Sequence, residues 1–144
     1  MAQAVQTLAN HRRFDPLYHA FLVPVTAINI FAAIRNVILN PGLGAAWFVV
    51  LSFAAAVAVI KLRTYALKAQ DRVIRLEERM RLLQLMPDSM RSRISELTEA
   101  QLIALRFACD AELPALVDKT LSGNLRQNQI KGAIGTWRPD YFRV

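Results

Sequence analysis

Asp15 stands four residues before His19, and His11 lies just upstream, ahead of Arg12 and Arg13. On a helix, positions i and i+4 share a face, so one turn can bring a carboxylate to an imidazole. That pairing is the chemistry of a proton relay or of half a metal site. Neither is complete here. His11 and His19 are the only histidines, and the neighbouring residues offer no further ligand set. The spacing predicts instead an Asp15 that caps a helix, with His19 beside it at an interface.

Other candidates are sparse. Asn29 lies inside an apolar run and Arg35 at its edge. They could line a polar path only within an oligomer or a larger complex, because two spans cannot enclose a pore. The simpler expectation is a packing hydrogen bond for Asn29 and a snorkelling Arg35. Cys109 is the single cysteine and follows Ala104-Leu105-Arg106-Phe107-Ala108. It is expected as a small buried hydrophobe, with no neighbouring histidine to activate it. Arg138 and Asp140 are expected either to pair with each other or to dock the end of the chain. There is no Gly-rich phosphate loop, no Cys or His spacing for a metal, and no nucleophile–base set. No catalytic, cofactor-binding or metal-ligating residue is predicted, and the expected protein is not an enzyme.

The elements that must position these residues begin with two apolar stretches, residues 16–34 and 43–60, neither holding a Lys, Arg, Asp or Glu. About 20 apolar residues suffice to cross a bilayer as a helix. The first stretch is longer than the apolar region of a signal peptide, and a second follows at once, so it reads as an anchor. Pro16 suits a first helical turn, and Tyr18 suits interface depth. Asn40-Pro41-Gly42 is a turn signal between the two. Pro24 removes one backbone donor from the first span. Gly44, Ala45, Ala46, Ser52 and the alanines 54–56 give the second span a close-packing surface, and Trp47 is placed as an interface anchor.

Charge orients this pair. The net charge is +7, and residues 61–81 carry seven basic side chains against three acids. Basic residues next to spans mark the cytoplasmic side and attract anionic lipid. Arg12, Arg13, Lys61, Arg63, Lys68 and Arg72 are therefore expected at the membrane surface, with both termini cytoplasmic, residues 36–44 outside, and the plasma membrane as the location. The folded tail carries no concentrated charge, so nucleic acid is not expected as a partner.

No Gly or Pro follows residue 60 until Pro87, and good helix formers dominate. The second span is predicted to run on as one helix to about Met86, reaching some 35–40 Å past the membrane by its rise of about 1.5 Å per residue. Ala66, Ala69, Val73, Leu76, Met80 and Leu83 are spaced 3, 4, 3, 4, 3, a heptad seam. With Asn29, these are the predicted helix-packing residues. The first expectation is that the chain's own tail covers the seam. A second copy in a coiled coil is the alternative, and an anionic lipid surface a third. Asp71–Arg75 and Glu77–Arg81 read as i,i+4 ion pairs on the outer faces.

Past Pro87 the predicted elements are short helices. One lies at 90–96. A second, at 99–109, opens on a capping box, Thr98 with Gln101, and a hydrophobic staple, Leu97 with Leu102. Asp110 is expected to cap the next helix and Gly123 to end it, with Asn124 capping a last helix to about Ile134. Trp137, Arg138, Asp140 and Tyr141 are expected to dock the closing segment, or to serve a partner. The division is therefore an arm (1–15), a transmembrane hairpin (16–60), an amphipathic juxtamembrane helix (61–86) and a small helical cytoplasmic domain (87–144), all-α throughout. The expected role is a membrane scaffold or accessory subunit. It would contact the bilayer and a protein partner or its own copies. A transport or channel component is the alternative.

Three stretches carry a resemblance: residues 10–19 (NHRRFDPLYH), residues 66–79 (ALKAQDRVIRLEER), and residues 101–108 (QLIALRFA) together with the closing Trp137-Arg138-Pro139-Asp140. In these the chain resembles a bacterial family catalogued as domain-of-unknown-function family 6526. The resemblance implies a small two-span membrane protein with a helical cytoplasmic tail. It implies no activity, cofactor or catalytic residue.

Overall fold

The computed structural model describes residues 6–10 and 14–141. His11, Arg12 and Arg13 lie outside the described residues, so the membrane-surface role expected of the two arginines has no structural counterpart here. Among the described residues all regular elements are helical: α1 (Leu17–Leu39), α2 (Leu43–Leu85), α3 (Asp88–Arg91) with a 3-10 turn at Ser92–Glu96, α4 (Glu99–Leu105), α5 (Leu113–Gly123) and α6 (Gln127–Ala133). Among the described residues the only β-type pairing is an isolated bridge between Ala108 and Trp137. The contacts divide the chain into two compact units, residues 14–68 and residues 69–141 with 6–10. The division falls inside α2, after Lys68.

In the first unit, α1 begins with a wide π turn, Leu17–Leu22, closed by Val23 N–H on the Tyr18 carbonyl. The cause sits two residues on. Pro24 has no N–H, and its ring crowds the carbonyl four residues back; the wider turn relieves both. Pro16 is helical at φ −62°, and Asp15 Oδ1 accepts the Tyr18 N–H at 3.2 Å, so Asp15 caps this end from its side chain. α1 and α2 are long and apolar enough to cross a membrane, with 23 and 43 residues, yet only 6% of each apolar window is buried. Their facing surfaces are small, centred on fully buried Ala33 and on Ser52. Phe21, Ile28, Phe31, Ile38, Trp47 and Phe53 all point outward.

In the second unit, Leu82 of α2 and Met86 just past its end join a core that also holds Leu97, Leu102, Leu105, Phe107, Leu113, Val117 and Ile130. Each fully buried side chain of this kind contributes about 1.5–3 kcal/mol by leaving water. The capping box forms in both halves: Thr98 Oγ1 accepts from Gln101 N, and Gln101 Oε1 accepts from Thr98 N at 2.8 Å. Leu97 and Leu102, the staple, are both buried.

Several expectations for this unit are corrected. α4 stops at Leu105, and Cys109 is half-buried rather than buried, its N–H spent on the Thr136 carbonyl at 3.1 Å. Asp110 does not cap α5; its carboxylate goes to Arg81. The left-handed residue that ends α5 is Asn124, at φ 44°, and not Gly123. Asn tolerates that conformation because its short polar side chain can bond locally. α6 accordingly starts later, after Arg126, whose N–H donates to Gln129 Oε1 at 2.8 Å.

Candidate functional site

The closing segment and α2 share a network of hydrogen bonds and ion pairs. Trp137 bridges to Ala108, and two backbone bonds flank the bridge: Cys109 N–H to the Thr136 carbonyl at 3.1 Å and Arg138 N–H to the Phe107 carbonyl at 2.7 Å. Glu112 supports the approach, its carboxylate accepting from the N–H groups of Gly135 at 3.0 Å and Thr136 at 3.2 Å. With its backbone held this way, Trp137 rests on the buried Phe107 ring, centroids 5.1 Å apart. The Arg106 guanidinium covers the same ring at 4.4 Å.

Arg138 and Asp140 do not pair with each other. Arg138 reaches Glu78 at 3.5 Å, and Asp140 reaches Arg106 at 3.1 Å. Gln6 closes the arrangement: its amide nitrogen donates to the Asp140 carbonyl at 3.0 Å, and its amide oxygen accepts the Asp140 N–H at 2.9 Å. No signal in the sequence marks Gln6 for this role.

Glu78 sits on α2 at only 4% exposure. Arg81, one turn on, donates to it at 3.0 Å and also bonds Asp110 Oδ1 and the Ala108 carbonyl. Burial pushes the Glu78 carboxyl above its ordinary range, opposed by the charge and hydrogen bond of Arg81 and then by the charges of Arg138 and Arg106. Three arginines and three carboxylates thus meet here, and the cluster ties α2, the 106–110 turn and the closing segment together. Among the described residues no group of three His, Cys, Asp or Glu side chains could hold a metal.

The expected i,i+4 pairs on α2 are replaced. Arg81 chooses Glu78 and Asp110 over Glu77. The Arg75 guanidinium pairs with Glu99, while its Nε donates to the backbone carbonyl of Asp71. Both arginines turn toward the small helices, where partial burial strengthens the interaction.

The predicted seam lies elsewhere. Val73, Leu76, Met80 and Leu83 are 54%, 62%, 55% and 50% exposed, so the chain's own tail does not cover them. The tail packs on Glu78 and Leu82, about 180° around the helix at about 100° per residue. The correction has a plain cause. A charged residue, Glu78, occupies the middle of the buried stripe, and the uninterrupted apolar stripe is the one left open.

In the first unit the polar groups are committed to one another. Asn29 Nδ2 donates to Ser52 Oγ at 2.9 Å, and Ser52 Oγ donates to the Phe48 carbonyl at 2.8 Å. Arg63, expected at the membrane surface, lies 3.6 Å from Asp15 Oδ2 and over the Tyr18 ring at 5.2 Å. Asp15 and His19 do meet, but through backbone: His19 Nδ1 is 2.9 Å from the Asp15 carbonyl oxygen, and its ring stacks on Phe14. The Asp15 carboxylate is turned to Tyr18 N–H and Arg63, so no carboxylate–imidazole relay forms. Lys61, Lys68 and Arg72 are exposed, as are Trp47 and Tyr141.

Comparison with curated proteins and with solved structures gives no match. A family model does match, over residues 1–144, and it takes in the 10–19 stretch, the charged α2 segment and the closing Trp-Arg-Pro-Asp alike: the chain belongs to the family of unknown function DUF6526.

Proposed function

We propose that this chain is a non-enzymatic membrane scaffold or accessory subunit. α1 and the first half of α2 form a transmembrane hairpin in the plasma membrane with both termini cytoplasmic, and the small helical unit is presented to a protein partner. One observation carries the reading. Two helices of spanning length turn nearly all of their large apolar side chains outward. Water would not tolerate such a surface, and lipid covers it without cost. The basic side chains Lys61 and Lys68 follow the second apolar stretch and remain exposed, which suits a cytoplasmic lipid surface. Asn29 and Ser52 satisfy each other, which favours an anchor over a polar path.

The test combines membrane fractionation with topology mapping of the full chain. In a Cys109→Ser background, retention in the bilayer through alkaline carbonate, with cysteines placed at Ala9 and Ser122 reached only after permeabilisation and one at Asn40 labelled from outside, is the expected result. Release by carbonate, or labelling of Ser122→Cys from outside, overturns it.

A further inference from the structure

We propose that the open stripe of α2 is the seam of a parallel two-stranded coiled coil with a second copy of this chain, kept in register by Arg72 of one copy and Glu77 of the other. The inference rests on the hairpin reading for its direction. Two copies inserted the same way must send α2 out of the bilayer on the same side, so the helices can only run parallel.

The stripe reads as heptads, with Ala66, Val73 and Met80 at position a and Ala69, Leu76 and Leu83 at d. A β-branched a residue beside a leucine at d, as in Val73 and Leu76, is the combination that favours two strands. Position g then falls on Arg72 and Arg79, and position e on Glu77 and Gln84. In a parallel pair each g residue faces the e residue five places on in the other helix. Arg72 therefore meets Glu77 twice per dimer, once from each side, and Arg79 meets the neutral Gln84. An antiparallel pair would set g against g, bringing arginines together. Glu77 is also without an ion pair among the described residues, since Arg81 has turned to Glu78 and Asp110. The bundle uses the opposite side of the helix, so both surfaces can be covered at once. The short seam gains from the membrane, which confines both copies and raises their effective concentration.

The experiment uses the full chain in lipid vesicles, with Cys109→Ser as background. Leu76→Cys is expected to give a disulfide-linked homodimer under mild oxidation, and Lys68→Cys, away from the seam, is not. Arg72→Glu should raise the dimer dissociation constant about tenfold by turning two attractions into repulsions, and adding Glu77→Arg should restore it. These charge variants are on the surface and leave folding intact, so they test the register even if Leu76→Cys perturbs packing. A chain that resists carbonate but does not link through Leu76→Cys, or links equally through Lys68→Cys, overturns the seam and leaves the hairpin standing. So does failure of the Arg72→Glu, Glu77→Arg pair to recover. A chain released by carbonate that still links through Leu76→Cys overturns the hairpin and supports the seam.

Discussion

Arg138 and Glu78, 60 positions apart in sequence, lie 3.5 Å from each other, and the contact brings the last described segment of the chain onto the long helix. Half-exposed Arg138 adds little by itself, because solvent screens it. The hold comes from what stands beside it: Trp137 on Phe107, the backbone bonds to residues 107 and 109, and Asp140 on Arg106. Trp137→Ala is therefore expected to cost about 2–3 kcal/mol, the lower end for an aromatic truncation because the ring is only half-buried, and Arg138→Ala less than about 1 kcal/mol. Chaotrope unfolding followed by circular dichroism would give both values. Equal losses would mean that the charge, and not the ring, holds the segment.

Glu78 gives a pH signature. Its folded carboxyl titrates above the ordinary range because burial outweighs the pull of Arg81, Arg138 and Arg106. Such a group binds its proton more tightly folded than unfolded. Its stabilising share is complete below the unfolded pKa and is lost as pH rises through the folded one. The natural chain should accordingly lose stability relative to Glu78→Gln as pH rises above the ordinary carboxylate range. Melting curves of both proteins across that rise decide it. A natural chain that instead gains on Glu78→Gln as pH rises would show that the arginines dominate.

Much of this organisation is legible in the sequence, and the exceptions share a physical origin. The long helix follows from the absence of breakers between residues 45 and 86. The capping box and staple follow from Leu97, Thr98, Gln101 and Leu102. The docked end follows from rings that have no reason to be free. The face of α2 that meets the tail does not, because apolar periodicity points to the cleaner stripe while Glu78 disguises the buried one. Its neutralisation depends on Arg81, Arg106 and Arg138, three residues whose convergence is a tertiary event. Asp110 fails as a cap for the same reason. Gly123 draws attention as the helix terminator, though Asn124 takes the left-handed turn.

Asn29 and Ser52 set a limit on what one polar bond is worth between apolar helices. Asn29→Leu removes the donor, but Ser52 keeps its bond to the Phe48 carbonyl. The expected loss is about 0.6 kcal/mol, the average for such bonds between membrane helices. Titration with a denaturing detergent in a Trp137→Phe background, reading the helix pair by fluorescence of Trp47, measures it. A loss above about 2 kcal/mol would mean that Asn29 holds more than its one partner.

Arg63 should resist replacement by lysine. Its guanidinium both faces the Asp15 carboxylate and lies over the Tyr18 ring. A lysine keeps the charge but not the planar stacking surface. Arg63→Lys is expected to lose about half of what Arg63→Ala loses, within a total of about 1–2 kcal/mol, in the same detergent titration. Full rescue by lysine would reduce the contact to simple charge attraction.

The capping box allows a ranking that a simple cap would not. Thr98→Ala removes one side-chain acceptor at an exposed helix start, and such losses run to about 1 kcal/mol. Gln101 is buried and does more: its oxygen accepts from Thr98 N–H, and its nitrogen donates to the Leu125 carbonyl at 3.1 Å, joining the start of α4 to the loop before α6. Gln101→Ala strands that part-buried carbonyl, at about 1–3 kcal/mol, and also removes the acceptor of the Thr98 N–H. Gln101→Ala should therefore exceed Thr98→Ala by at least about 1 kcal/mol. Gln101→Glu should fall between them, since the carboxylate keeps the acceptor for Thr98 N–H and loses the donor to Leu125. Unfolding of the three variants under one set of conditions tests the order. If Thr98→Ala proves the costlier, the cap is the dominant tie, and the link from Gln101 to Leu125 is incidental.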